Sequence, residues 1–422
     1  MDETARDQTA QHPAPARPQP VGMFALPAGY LLVPAGGPEV AAAREQLLAG
    51  CTPVRWPEAL AAHERALAGD REGALSALGT AGDPVTRYNR FVLDPDGEPD
   101  LAGLRTELGE FAVLVDLVQF ALGRSDDPPS ADGLDGELAA LACSAQASAA
   151  VAAGDPATAV ALLDQAVEHA RPVVRPLAGL MQGAAAAILR DRDEPGDNAV
   201  AVTRFEAALK LLKDADGLRV GRAEIHLGLA QTLHEQAEQH PEVLAKAVPQ
   251  YHSALQLVRR EDAPLTWAAA HAGVATAYLT MPMVEASSQL RLGIAAQSLR
   301  QALTVYTREE HPAEWASLQL NLANSLVYAP SKHREQNLVD AAEIYEAVLA
   351  TRDRATDPVG RARVLANQGN VLAHLGMFDQ AKAKLYEARF LFEEHGDEES
   401  VRAVRGVLDE IARQVALART AD

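Results

Sequence analysis

The side chains best placed to do chemistry are two pairs of asparagines, Asn321 and Asn324 in LNLAN and Asn367 and Asn370 in ANQGN. A spacing of three sets both amides of a pair on one face of a helix, one turn apart. Each amide offers a donor and an acceptor together, which suits a peptide backbone or a terminal carboxylate. Asparagine also braces neighbouring helices by hydrogen bonding, so a structural role stands beside the ligand role.

Patterns that would carry catalysis are missing from the sequence, which contains no GxxxxGK[ST], no G-x-S-x-G and no CxxC. The stretch from His234 to His240 is not HExxH, because its second histidine comes two positions late. His226 and His234 lie about two helical turns apart, too far for shared ligation without a third partner, and a surface or interface role is expected for them. Asp94 to Asp100 (DPDGEPD) alternates carboxylates, but Gly97 stands fourth rather than sixth, two prolines stiffen the loop and no glutamate stands twelfth, so a solvated turn is expected rather than a calcium loop. Cys51 and Cys143 are too few for a disulfide framework or metal cluster; both read as small buried hydrophobes without an activating neighbour. The expectation is a non-enzymatic protein with no catalytic residue, metal or cofactor.

Composition narrows the partners. The formal charge is −20 and the pI near 5.0, and no Lys/Arg stripe stands ready to displace phosphate counterions, which argues against nucleic acid. The apolar runs are broken or short, Phe111–Gly123 by Asp116 and Val21–Pro38 by prolines, so no membrane span is expected. The opening MDETARDQ has neither a basic nor an apolar signal region, which reads as cytoplasmic.

The elements that must position the asparagines repeat. Ala381/Leu385/Ala388 follows the helix-ending LGMF, and the same small-large-small spacing recurs as Ala341/Tyr345/Val348, Ala295/Leu299/Ala302, Ala247/Tyr251/Ala254, Ala201/Phe205/Ala208 and Ala159/Leu163/Ala166. Small residues let a second helix approach closely, and the large one fills the groove. The triplets start 42, 46, 48, 46 and 40 residues apart, longer than the ~34 of a minimal unit. The surplus is expected in the turn between the two helices of a unit, as RDRDEPGDN, EQAEQHPEVLAK, MPMVEASSQLRLG and APSKHREQNL.

This pattern resembles a tetratricopeptide repeat (TPR) array, in particular the long-period arrays of actinobacterial proteins. The resemblance implies an all-α, right-handed α-solenoid of helix pairs. The expected division is a Pro-rich disordered tail at 1–22, an N-terminal helical region at 23–130 with a degenerate repeat (Ala74/Leu78/Ala81), a six-unit array at 131–396, and a capping helix at 397–422. Met23–Pro38 reads as an extended segment lying on the solenoid or as a short hairpin, and one helix is expected from Leu101 to Leu122. The Asp- and Pro-rich stretch 125–136 reads as a boundary or hinge. Some relatives of such arrays carry a caspase-like peptidase or a DNA-binding domain. Neither motif is found here, so neither role carries over.

What the resemblance does carry over is a concave groove, lined by first helices, that holds an extended peptide or a partner helix. With Gly183, Gly228, Gly273, Ala323 and Gly369 at the close-packing position, the groove face takes Asn321, Asn324, Asn367, Asn370, Arg363, Arg222, Trp267, Tyr278, Tyr328 and His374. The asparagines resemble those of carboxylate-clamp TPR proteins, but Leu320 and Ala366 stand where the clamp has its lysine. The expected function is a protein-protein interaction scaffold or adaptor, in one form an assembly or maturation factor for a multisubunit enzyme. The alternative is a peptide- or metabolite-sensing regulatory module acting on a separate effector. Met281, Met283, Leu290 and Leu292 in one inserted turn are expected to form a contact surface with the partner or a second protomer, homo-oligomerisation being open; the alternative is a short helix folded back on its own repeat.

Overall fold

The computed structural model describes residues 17–25, 27–80, 82–192, 194–237, 240–281, 287–328 and 332–421. They are almost entirely helical, with helices packed on their sequence neighbours inside two compact units, Met1–Thr232 and Leu233–Asp422. Sequential packing of helical hairpins makes this an all-α solenoid architecture.

The first unit opens with β1 (Gln19–Pro20) paired antiparallel to β2 (Leu32–Val33). Six short helices follow: α1 (Pro38–Leu48), α2 (Ala61–Leu67), α3 (Arg71–Leu78), α4 (Pro84–Leu93), α5 (Leu101–Leu108) and α6 (Ala112–Ala121). The β pair is held by side chains distant in sequence. The Leu32 N–H donates to Asn89 Oδ1 at 2.8 Å, while the Leu32 carbonyl accepts from Asn89 Nδ2 at 2.8 Å and His63 Nε2 at 3.1 Å. Tyr88 donates to the Tyr30 carbonyl, and Arg17 and Gln19 both reach the buried Glu137.

Residues 17–22, placed in the disordered tail by composition, instead carry β1, with Arg17 and Gln19 bonded to Glu137 and β1 paired to β2, which His63 and Asn89 hold at Leu32. Residues 1–16 lie outside the described residues. Met23–Pro38 is neither a hairpin by itself nor fully extended: it holds a short 3-10 turn at Ala28–Tyr30 and then β2, whose partner β1 lies before it at Gln19–Pro20. The single helix expected from Leu101 to Leu122 is broken at Gly109, whose φ of +57° is a left-handed conformation that non-glycine residues avoid. The degenerate triplet is incomplete: Ala74 is buried, α3 stops at Leu78, and Ala81 lies outside the described residues. The stretch 125–136 lies within the first unit, where Gln146 Nε2 donates to the Pro129 carbonyl.

Then come the longer helices, α7 (Gly136–Ala152) with α8 (Pro156–Ala170), α9 (Arg175–Arg192) with α10 (Asp197–Leu211), and α11 (Arg219–Gln236), which runs through the Thr232/Leu233 division. The second unit holds α12 (Leu244–Leu257), α13 (Pro264–Thr280), α14 (Ser287–Ala302), α15 (Pro312–Tyr328), α16 (Arg334–Leu349), α17 (Pro358–His374), α18 (Phe378–Glu394) and α19 (Glu398–Ala421). Several starts use one device, an aspartate whose carboxylate accepts the backbone N–H three residues on with proline in the first turn: Asp83, Asp155 and Asp357.

All six triplets are buried; Leu163, the most accessible of the eighteen residues, is 4% exposed. Their glycine partners show why the pattern works. A Cβ on Gly228 of α11 would stand 2.6 Å from the ring of Phe205 on α10, and one on Gly273 of α13 would stand 2.2 Å from the ring of Tyr251 on α12. At these two positions the small residue of a first helix makes room for the large residue of the second helix before it, whereas Gly369 of α17 makes room for Leu385 of α18, the helix after it. On α19, Val401, Val404 and Ile411 are buried while Arg402, Arg405, Glu410, Arg413 and Gln414 face solvent.

The surplus residues are divided between the turns inside the middle units, where 237–243 is longer than 153–155 or 375–377, and the linkers between units. Those linkers, 212–218, 258–263, 303–311 and 350–357, are longer than most turns within the units. Several inserted turns are largely helix: SSQLRLG belongs to α14, where Leu292 opens the buried stripe Leu292/Ala295/Leu299/Ala302. The apolar contact surface assigned to that turn therefore disperses. Leu290 is 69% exposed, Leu292 is buried, Met281 packs against the small cluster of Ala237, Leu244, Val248 and Ala277, and Met283 lies outside the described residues.

Candidate functional site

α15 and α17 bring two of the sequence-selected groups together, and α16 adds a hydroxyl. Asn324 Oδ1 accepts from the Tyr345 hydroxyl of α16 at 2.5 Å and from Asn367 Nδ2 at 3.3 Å. Two bonds to one oxygen fix the Asn324 amide, and with it Asn367. Among the described residues, the Asn324 amino group and the Asn367 carbonyl oxygen make no further hydrogen bond. Asn321 and Asn370, one turn away on either helix, are half-buried and make no hydrogen bond among the described residues. The four positions thus comprise a pinned pair and two amides without a hydrogen bond among the described residues.

The remaining sequence-selected residues divide. Tyr328, at the end of α15, is 69% exposed, and His374, in the last turn of α17, is also exposed. Arg363 is exposed near the start of α19, where a backbone N–H from Ser400 first, and the charge of Arg363 as a minor addition, hold the Asp397 carboxyl below the ordinary carboxylate range. On α13, Trp267 meets His271 edge-on at 4.4 Å between ring centroids. The Tyr278 hydroxyl lies 3.3 Å from His252 Nε2. Burial, with His252 adding, draws His271 down to about 4.

Arg222 does not belong with them. In the first unit its guanidinium donates to the Ala215 carbonyl and pairs with Asp216 at 3.2 Å, which fastens the 212–218 linker. The other candidates are occupied as well. His234 lies 3.3 Å from the Tyr251 hydroxyl, Glu98 pairs with Arg87, Asp96 pairs with Arg124 and Asp100 caps α5. Cys143 is buried, where desolvation raises its thiol pKa, whereas Cys51 is only half-buried with Sγ 3.1 Å from the Asp214 carbonyl. Among the described residues no group of His, Cys, Asp and Glu is arranged to hold a metal, and no helix is long and apolar enough to cross a membrane.

A second feature escaped the sequence. In the first unit a half-open cleft of about 410 Å³ lies between α9 and α11, lined by Leu180, Ala184, Ala187, Arg190, Glu224 and Ile225 among others. Its signal in the sequence, glycines and alanines on two first helices, is the same signal that close packing leaves.

No described protein family matches the sequence, and no curated protein matches it either. Among solved structures, the crystal structure of the apo form of RapI is similar, at 12% identity over 83% of this chain and 97% of that chain, with a TM-score of 0.44. A likeness of that degree carries no argument, and the functional reading rests on the geometry.

Proposed function

We propose that this chain is a TPR-like adaptor that holds an extended segment of a partner protein along the faces of α15 and α17. The observation that carries the reading is the Asn324–Asn367 pair, oriented by Tyr345 and flanked by the unpaired amides of Asn321 and Asn370. Preorganised amides bind without the rotamer cost of ordering free side chains. They pair with backbone N–H and C=O groups, so they hold a segment by its extended conformation more than by its sequence. Tyr328 and His374 stand exposed at the ends of the same two helices and give such a segment an aromatic and an imidazole to meet. Leu320 and Ala366 stand where a carboxylate clamp has its lysine, which disfavours capture of a terminal carboxylate there. An assembly or maturation factor for a multisubunit enzyme is one role that such binding serves.

The test is a photo-reactive side chain placed at Asn370 or Tyr328, with one at the exposed Arg402 on α19 as control. Capture of one protein from both groove positions and not from Arg402, mapping to a continuous extended segment, supports the reading. Equal capture at all three positions counts against it. The second reading, a peptide- or metabolite-sensing module, is favoured by the cleft between α9 and α11.

A further inference from the structure

The α9–α11 cleft has a distinct chemistry. Its floor is made of small residues because the two helices approach closely: a Cβ on Gly183 would stand 2.7 Å from the Ile225 side chain and one on Gly221 2.8 Å from Leu180, while one on Gly228 would stand 2.6 Å from the Phe205 ring of α10 beneath them. Leu180, Ala184, Ala187 and Ile225 supply an apolar wall, and the volume of about 410 Å³ falls within the range of ligand sites, ~300–1,000 Å³.

Two charged residues line this space, and their situations differ. Arg190 is satisfied by Asp191, 2.8 Å from its guanidinium, and by Gln231 Oε1 at 2.9 Å. Glu224 has no ion pair or hydrogen bond among the described residues. It keeps solvent on one side, while protein crowding on the other raises its carboxyl pKa above the ordinary carboxylate value. An apolar wall ending at an uncompensated carboxylate, in a chain of net charge −20, is complementary to an aliphatic stem that carries a cation.

We propose that the cleft between α9 and α11 is a binding site for an arginine side chain of a partner protein, its methylenes against Leu180, Ala184 and Ala187 and its guanidinium on the Glu224 carboxylate. Arginine suits the site better than lysine because its planar fork meets a carboxylate through two donors. The site belongs to the first unit and stands independently of the asparagine pair on α15 and α17.

The full chain, labelled at isoleucine and leucine methyl groups, tests this by NMR titration with N-acetyl-arginine amide and with N-acetyl-citrulline amide, which has nearly the same shape and no charge. The expected result is a saturable shift of the Ile225 and Leu180 methyl signals, with the arginine probe binding roughly tenfold more tightly, the factor supplied by a charge-assisted hydrogen bond. Glu224→Gln should make the two probes equal. Ala184→Met, which adds volume at an exposed position of the wall, should weaken both. Equal affinity of the two probes for the unaltered chain, retention of the arginine preference in Glu224→Gln, or shifts confined to methyl groups away from the cleft would each overturn the proposal.

Discussion

Replacing Gly273 by alanine tests the packing rule on which the repeat rests. An added Cβ would stand 2.2 Å from Tyr251 Cε1 and 2.4 Å from Cζ. Ordinary carbon contacts begin near ~3.5 Å, so the ring must retreat by more than ~1 Å. Tyr251 is 2% exposed, between Ala247 and Ala254 of its own triplet, which are fully buried. Overpacking of this kind costs about 1–3 kcal/mol, against a gain of ~1 kcal/mol from removing a mid-helix glycine. The single change should therefore leave stability about level or reduce it by up to ~2 kcal/mol. Gly293 of α14, where a Cβ meets nothing within 4 Å, should show the gain alone, up to ~1 kcal/mol. Tyr251→Leu destabilises by itself, through lost volume and the lost contact with His234. Combined with Gly273→Ala it should cost about 1–3 kcal/mol less than the sum, because a smaller side chain accommodates the Cβ. The natural sequence pairs Ala323 with Leu299 at the equivalent positions of the next unit, both in one buried cluster. A chain of two compact units need not unfold in one step, so the assay is native-state hydrogen exchange read on the amides of α12 and α13. Stabilisation by Gly273→Ala equal to that by Gly293→Ala, or additivity within ~0.5 kcal/mol in the double variant, would refute the reasoning.

Other outcomes follow from individual contacts. Asp155→Ala removes the carboxylate that caps α8 through the Thr158 N–H and should cost about 1 kcal/mol, read as faster exchange in the first turn of α8. His63 is 3% exposed, and burial lowers its pKa from 6.5 to about 4. The unfolded chain therefore binds the proton first, and stability is full above pH ~6.5 and falls as pH drops toward ~4, by up to ~1.4 kcal/mol per unit. His63→Leu should flatten that acid limb in denaturant titrations of the first unit, while Asn89 keeps a donor on the Leu32 carbonyl. Tyr345→Phe deletes one of the two donors on Asn324 Oδ1 and should cost about 1 kcal/mol; partner affinity should fall too, since the amide is then less firmly oriented.

How far the sequence could be read depended on the range of the interactions. The triplets were legible because small-large-small spacing is a local pattern with one packing meaning, and all eighteen residues proved buried. The amphipathic α19 was legible for the same reason. The Asn324–Asn367 bond was not, because it joins residues 43 positions apart and depends on a hydroxyl from a third helix. The contacts of residues 17–22 likewise come from Glu137 and from pairing with β2, and composition of the segment itself says nothing of them. Surplus repeat length was assigned to turns because turns tolerate insertion, yet helical periodicity in SSQLRLG already placed Leu292 in phase with Ala295, Leu299 and Ala302. The α9–α11 cleft lay hidden in glycine and alanine, which mark close approach and open space alike.

The most direct test of the adaptor reading compares the affinity of the unaltered chain for its photo-captured partner with that of Asn321→Ala/Asn370→Ala. These two amides make no hydrogen bond among the described residues, so the variant should fold and melt as before. The expected result is at least a tenfold loss of affinity, about the worth of one or two backbone hydrogen bonds. Unchanged affinity in a folded variant would contradict it and show that α15 and α17 hold no partner.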